Sequence, residues 1–147
     1  MDQNLKRSII LENYQNPKNR GLTGDNSYIK VNSNSDSCID EIDLEVKIVD
    51  GKIEDIRFDG EACAICTSAT SIMIDTLIGK NLKEAKEVYD HYNKMIEEKN
   101  YDPEKLNCAI VYDDICKQPN RKKCALIPWW GIEKAFLIYE NNTKLEK

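Results

Sequence analysis

The chain has 147 residues, a formal net charge of -5 and a sequence pI near 5.0, a length that fits one domain over residues 1–147 with a core needing no disulfide staples. That acidic balance excludes nucleic acid as the main partner, because neutralising phosphates calls for a basic face. With no apolar run of about 18 residues and no leader-like stretch in "MDQNLKRSII", the expectation is a cytoplasmic protein without a membrane span, whose six cysteines serve as metal ligands, reactive thiols or small buried side chains.

Residues 3–15 are predicted as a helix with Leu5, Ile9, Ile10 and Tyr14 towards one face, stopped by "NPKNRG", where Pro17 and Gly21 punctuate the backbone. "SYIKV" reads as a first strand and the polar run "NSNSDS" at 32–37 as a loop delivering Cys38. Beyond it Ile42, Leu44, Val46 and Ile48 alternate with Asp43, Glu45 and Lys47, the pattern of a strand with one face buried and a charged face in water. Asp50-Gly51 is a two-residue hairpin signal, "KIEDIRF" runs back as the partner strand, and Gly60 is expected to turn the chain sharply at its end.

From Thr67 the period becomes helical, with Ala69, Ile72, Met73 and Leu77 on one face and Gly79 suited to the C-terminal cap. Asn81 and Glu84 form a capping-box pattern ahead of Leu82, Ala85, Tyr89, Tyr92 and Ile96. Asp102-Pro103 is expected to open another helix carrying Leu106, Ile110 and Val111 into the core, and the last helix to begin at Pro128 and bury Trp129, Ile132, Phe136 and Tyr139. Trp130 is then the tryptophan left for an interface, and "ENNTKLEK" reads as a frayed tail. The sum is an α+β domain: an N-terminal helix, a three-stranded antiparallel sheet, then several helices packed on one face of it.

Three cysteines fall where this reading breaks regular structure: Cys38 after the polar loop, Cys63 at the strand-to-helix turn and Cys124 in "RKKC". Thiolates converging from such ends suit a metal ion, with a carboxylate acceptable as a fourth ligand. The single histidine, His91, shares the solvated helix face of Glu84, Glu87, Lys94 and Glu98, which favours a plain surface role. Asp40 is close to Cys38, and in an extended segment both point to one side; such a C-x-D pair is by itself weak evidence. Cys108, three, four and seven residues from Val111, Tyr112 and Ile115, reads as a core position, while Cys116 shows no partner pattern.

The order "ENYQNPKNRG", Cys38-Ile39-Asp40, "FDGEAC" and "RKKCALIPW" resembles the U-type family of iron-sulfur cluster assembly, which comprises SufU, IscU and the N-terminal part of NifU. Lys123 stands where IscU proteins usually carry a histidine, and the long interval between Cys63 and Cys124 also looks like the SufU branch. The resemblance implies zinc held by Cys38, Asp40, Cys63 and Cys124, a SufS-type cysteine desulfurase as partner, and downstream iron-sulfur assembly machinery beyond it. It further implies that Cys38 leaves the ion, its place taken by a histidine of the desulfurase, and accepts the persulfide sulfur. Two other readings stand beside this one: a scaffold holding a nascent iron-sulfur cluster on the same ligands, and a zinc module that only docks on and activates the desulfurase.

Arg121 matches a basic family position, able to pair with a carboxylate or a partner surface or to remain a solvated charge. Cys66 is the surplus thiol of "CAIC", either a spare ligand or sulfur relay or a small packed side chain. The family usually has glycine between the first cysteine and the aspartate. Ile39 in that place excludes easy access to positive φ and predicts an altered loop geometry. Ala62 and Cys66 likewise make the second cysteine block only partly typical.

Overall fold

The computed structural model describes residues 1–35 and 39–145. Helix α1 (Gln3–Gln15) begins at an Asp2 N-cap whose carboxylate accepts from Leu5 N–H at 2.8 Å. Its expected apolar face is only half realised: Ile9 and Ile10 pack on the core, whereas Leu5 and Tyr14 are exposed. The most buried residue of the helix is instead Lys6, 8% exposed, whose Nζ meets Asp113 Oδ1 at 2.6 Å and Asp114 Oδ2 at 3.3 Å. Polar pins therefore replace apolar burial along α1, and Ser71 continues them by donating to Asn13 Oδ1 and accepting from Lys18 N–H.

Hydrogen bonds from Gln3, then Lys117 and Lys6, hold the Asp114 carboxyl at about 2, below its ordinary 3.8. A depressed folded value stabilises the fold above the ordinary carboxylate range, and that contribution is lost as pH falls through the folded value. Asp114→Asn is accordingly expected to flatten the dependence of Tm on pH between 3.8 and about 2. Thermal melts over that window check it, and an unchanged slope would remove Asp114 from the account of acid lability.

The sheet is an antiparallel meander, β1 (Ile29–Asn34), β2 (Glu41–Val49) and β3 (Lys52–Glu61), with β2 central. β1 runs through the first half of the expected polar loop. Asn32 and Ser33 are strand residues because Ser33 Oγ donates to Ile127 O at 2.7 Å and Asn32 Nδ2 reaches both Glu41 and Asp43 at 2.9 Å. Ile42, Leu44 and Val46 are buried as the alternation requires. Glu45, expected in water, is buried as well, because residues 19–24 cross that face and present Thr23 N–H, Thr23 Oγ1 and Gly24 N–H to its carboxylate. Gly60 does not turn the chain. It lies within β3 at φ +139°, where a Cβ would strike the Glu41 carbonyl of the neighbouring strand.

Helix α2 (Ala64–Leu77) starts three residues ahead of the helical period read from Thr67, with Cys63 as its N-cap and Gly79 at φ +92° just past its end. It is buried nearly all round, Ser68, Thr70, Ser71 and Thr76 included, because α1, β3, the segment after α3 and the last helix surround it. α3 (Leu82–Ile96) opens on the expected Asn81–Glu84 capping box. His91 is half-buried, and its Nδ1 accepts Asp102 N–H at 3.1 Å, so it fastens the chain leaving α3.

Residues 103–117 form three short 3-10 turns instead of one α-helix. The tighter winding buries Leu106, Ala109, Val111 and Tyr112 but leaves Cys108 exposed, against its expected place in the core. Helix α4 (Pro119–Leu145) starts nine residues before Pro128, which lies inside it, and continues through most of the expected frayed tail. Pro119 supplies the opening proline. Pro128 is tolerated because the helix around it is fixed by burial: Trp129 stacks on Tyr92 at 4.4 Å between ring centroids, while Ile127, Ile132 and Phe136 are buried. Trp130 is only half-buried. No helix among the described residues is long and apolar enough to cross a membrane.

Candidate metal centre

One end of the sheet gathers the start of β2, the end of β3, the N-terminus of α2 and the first turns of α4. Asp40 immediately precedes β2, Cys63 caps α2, and Cys124 lies one and a half turns into α4. A ligand atom from each comes within 4.8 Å of the other two. Cys124 was expected in a loop; placing it on a helix instead gives its thiol a direction set by the α4 backbone.

Asp40 is 2% exposed, and its Oδ1 accepts Cys63 N–H at 2.7 Å. The amide at the head of α2 thus fixes the carboxylate's orientation, the kind of outer contact that aligns a metal ligand. Cys63 Sγ in turn accepts Cys66 N–H at 3.5 Å. Cys63 is therefore joined to Asp40 through its backbone and to the start of α2 through its sulfur. Cys124 Sγ lies 4.0 Å from Asn120 O, one turn back in α4.

A soft thiolate pair with one carboxylate is a donor set that zinc accepts. Zinc–sulfur bonds of about 2.3 Å place tetrahedral ligands about 3.8 Å apart, so atoms within 4.8 Å of one another need only a small closure to share an ion. The residues present fit the metal.

The expected first ligand, Cys38, lies outside the described residues. Cys66 is fully buried in the core one turn along α2 and is not among the three residues whose ligand atoms meet. Arg121 is exposed and lines an open cleft of about 510 Å3 with Ile39, Glu61, Ala62, Asn120 and the three candidate ligands. The reading from sequence passed over Glu61 and Asn120. Glu61 stands directly opposite Glu41 in the β2–β3 register, a consequence of strand pairing that no local motif announces.

Cys116 is half-buried, its thiol pushed up chiefly by burial and further by Glu98, and Sγ donates to Asp113 O at 3.5 Å. That surrounding suits a packed thiol, not a nucleophile.

Residues 5–144 match the family model for the NifU-like N-terminal domain. Over 131 residues, 88% of each chain, the sequence is 33% identical to the zinc-dependent sulfurtransferase SufU of Bacillus subtilis. It is 32% identical to the iron-sulfur cluster assembly scaffold protein IscU of Thermotoga maritima over 86% of this chain and 88% of that one. The crystal structure of a protein described as a scaffold for the SUF system of Fervidobacterium islandicum superposes with a TM-score of 0.80 at 31% identity, covering 86% of this chain and 93% of that one.

Proposed function

The chain belongs to the NifU-like N-terminal domain family of iron-sulfur cluster assembly, and from that premise we propose that it is a zinc-dependent sulfurtransferase accepting persulfide sulfur from a SufS-type cysteine desulfurase. What supports the reading is the meeting of Asp40, Cys63 and Cys124 in the lining of an open cleft, with Asp40 two residues along the chain from Cys38. Bound there, zinc would keep its cysteines as thiolates near neutral pH.

Cys38 is the proposed acceptor, and Cys63, Cys124 and Asp40 are the residues proposed to stay as ligands. Asp40 is suited to hold while yielding, since a carboxylate is a harder ligand than thiolate and is oriented by the Cys63 amide. In the transfer step the Cys38 thiolate attacks the terminal sulfur of the desulfurase persulfide. A new S–S bond forms at Cys38, the old S–S bond breaks, and the desulfurase cysteine departs as thiolate. The exchange needs no outside oxidant or reductant. The open cleft leaves room for the persulfide-bearing segment of another protein.

The expected result is one zinc per chain by elemental analysis and faster cysteine turnover when the protein is added to a SufS-type desulfurase. Cys38→Ala should abolish the added turnover and the gain of a sulfur atom seen by mass spectrometry. If it leaves both intact, sulfur acceptance at Cys38 is wrong. Iron-sulfur absorbance persisting through purification without oxygen would favour the scaffold reading.

A further inference from the structure

Ile39 is 98% exposed, whereas the next most exposed large apolar side chain among the described residues, Met1, is 56% exposed. Its neighbour Asp40 is 2% exposed, so one residue of this segment turns fully inward and the one before it fully outward. Isolated surface aliphatics need no explanation, but this one lines the cleft that holds Cys63 and Cys124. Ile39 is absent from the positive-φ positions Asn19, Asp50, Glu98 and Asn107, so its backbone is one that side chains of any kind can adopt and does not by itself select isoleucine. Inside the folded chain the side chain contributes almost no burial.

The ground around it is charged in a definite way. Glu41 faces Glu61 and Asp43 faces Asp59 across β2 and β3, all four exposed and, by alternation, on the same face of the sheet. Directly opposed like charges destabilise a sheet, yet two such pairs sit at its cleft end. Asp59 has Arg20 Nε at 3.5 Å, while Asn32 Nδ2 donates to Glu41 and Asp43. Arg121 also lines the cleft.

We propose that Ile39 is an apolar anchor by which the metal cleft engages the sulfur-delivering protein, entering an apolar pocket on that partner rimmed by basic side chains that face Glu41 and Glu61. This rests on the sulfur-transfer reading above and names the recognition chemistry of the same site. Covered by a partner, an aliphatic side chain set among charged ones would form an apolar centre with a polar rim, the general layout of an interface. The anchor sets how long the complex lasts, and the carboxylates steer its approach.

The test measures the affinity of the zinc-loaded protein for a SufS-type cysteine desulfurase by calorimetry at two salt concentrations, with zinc content recorded for every variant. Ile39→Ser is expected to weaken binding roughly 10- to 30-fold, as loss of one buried aliphatic implies, with zinc content unchanged. Ile39→Leu should remain within about threefold of the wild type, because volume and apolarity are kept. Glu41→Gln with Glu61→Gln should reduce the salt dependence of association. Wild-type affinity in Ile39→Ser overturns the anchor while leaving sulfur transfer standing. Failure of the wild type to bind or stimulate the desulfurase overturns both.

Discussion

Cys63→Ser is expected to lose nearly all of its zinc and its stimulation of a desulfurase, and Cys63→Ala to lose the zinc equally and to melt a further few degrees below the serine variant. The distinction follows from two roles at one residue. Cys63 Sγ is one of three ligand atoms within 4.8 Å of one another, and the same sulfur caps α2 by accepting Cys66 N–H. A serine hydroxyl is a good N-cap but a poor substitute for a soft thiolate, so it retains the second role alone. Alanine retains neither, and a lost N-cap costs about 1 kcal/mol.

Both substitutions preserve the Cys63 N–H that holds Asp40 Oδ1, because that donor belongs to the backbone. The carboxylate therefore stays in place, and the zinc lost measures the sulfur. Cys66→Ala supplies the contrast: its side chain is fully buried in the core, so the proposal expects reduced stability with zinc retained. Elemental analysis beside thermal melts decides among these. Full zinc in Cys63→Ser would remove Cys63 from the ligand set, and zinc loss in Cys66→Ala with an unchanged melt would bring Cys66 into it.

Much of the arrangement was legible because it is periodic or depends on neighbours in sequence. The alternation of Ile42, Leu44 and Val46, the Asp50-Gly51 turn and the Asn81–Glu84 box each report a local preference, and the structure carries all three. Glu45 was misread since its burial comes from Thr23 and Gly24, more than twenty positions away. Cys108 was misplaced for a related reason, turned outward when residues 107–112 wind as a 3-10 turn, and the burial of Lys6, on which the sequence pattern is silent, comes from Asp113 and Asp114.

The candidate ligands could be proposed from sequence as three separated cysteine blocks and a nearby aspartate, but the approach of Asp40, Cys63 and Cys124 to one another could not. Cys124 was placed in a loop because Pro128 looked like a helix start. In fact Pro119 opens the helix and Pro128 sits within it. Tertiary burial of Trp129 and Ile132 outweighs the local cost of that proline. The result matters for function, because a helical Cys124 shares one rigid element with every residue that seats α4 on the sheet.

Gly131 is a point of close contact between α4 and the sheet, and Gly131→Val is expected to lower stability by about 2–4 kcal/mol and to weaken zinc binding in parallel. A Cβ at this position would lie 2.7 Å from Leu44 Cδ1 and 3.2 Å from Ser33 Cβ, so α4 rests on β1 and β2 so closely that a side chain here must displace the buried Leu44. Adding bulk must push the helix off the sheet or force Leu44 aside. Either movement strains the Ser33 Oγ bond to Ile127 O at 2.7 Å, the next contact along the same interface. Cys124 lies two turns before Gly131 on the same helix, whereas Asp40 and Cys63 are carried by the sheet and α2. Lifting α4 thus widens the distance between candidate ligands supplied by different elements, and on the proposed reading zinc affinity should fall even in molecules that remain folded. Leu44→Ala combined with Gly131→Val should recover part of both losses by opening space beneath the helix, the coupling that a double-mutant cycle measures. If Gly131→Val melts like the parent, the close approach is not what seats α4. If stability falls while zinc affinity measured on the folded protein does not, the metal site is held independently of that seat.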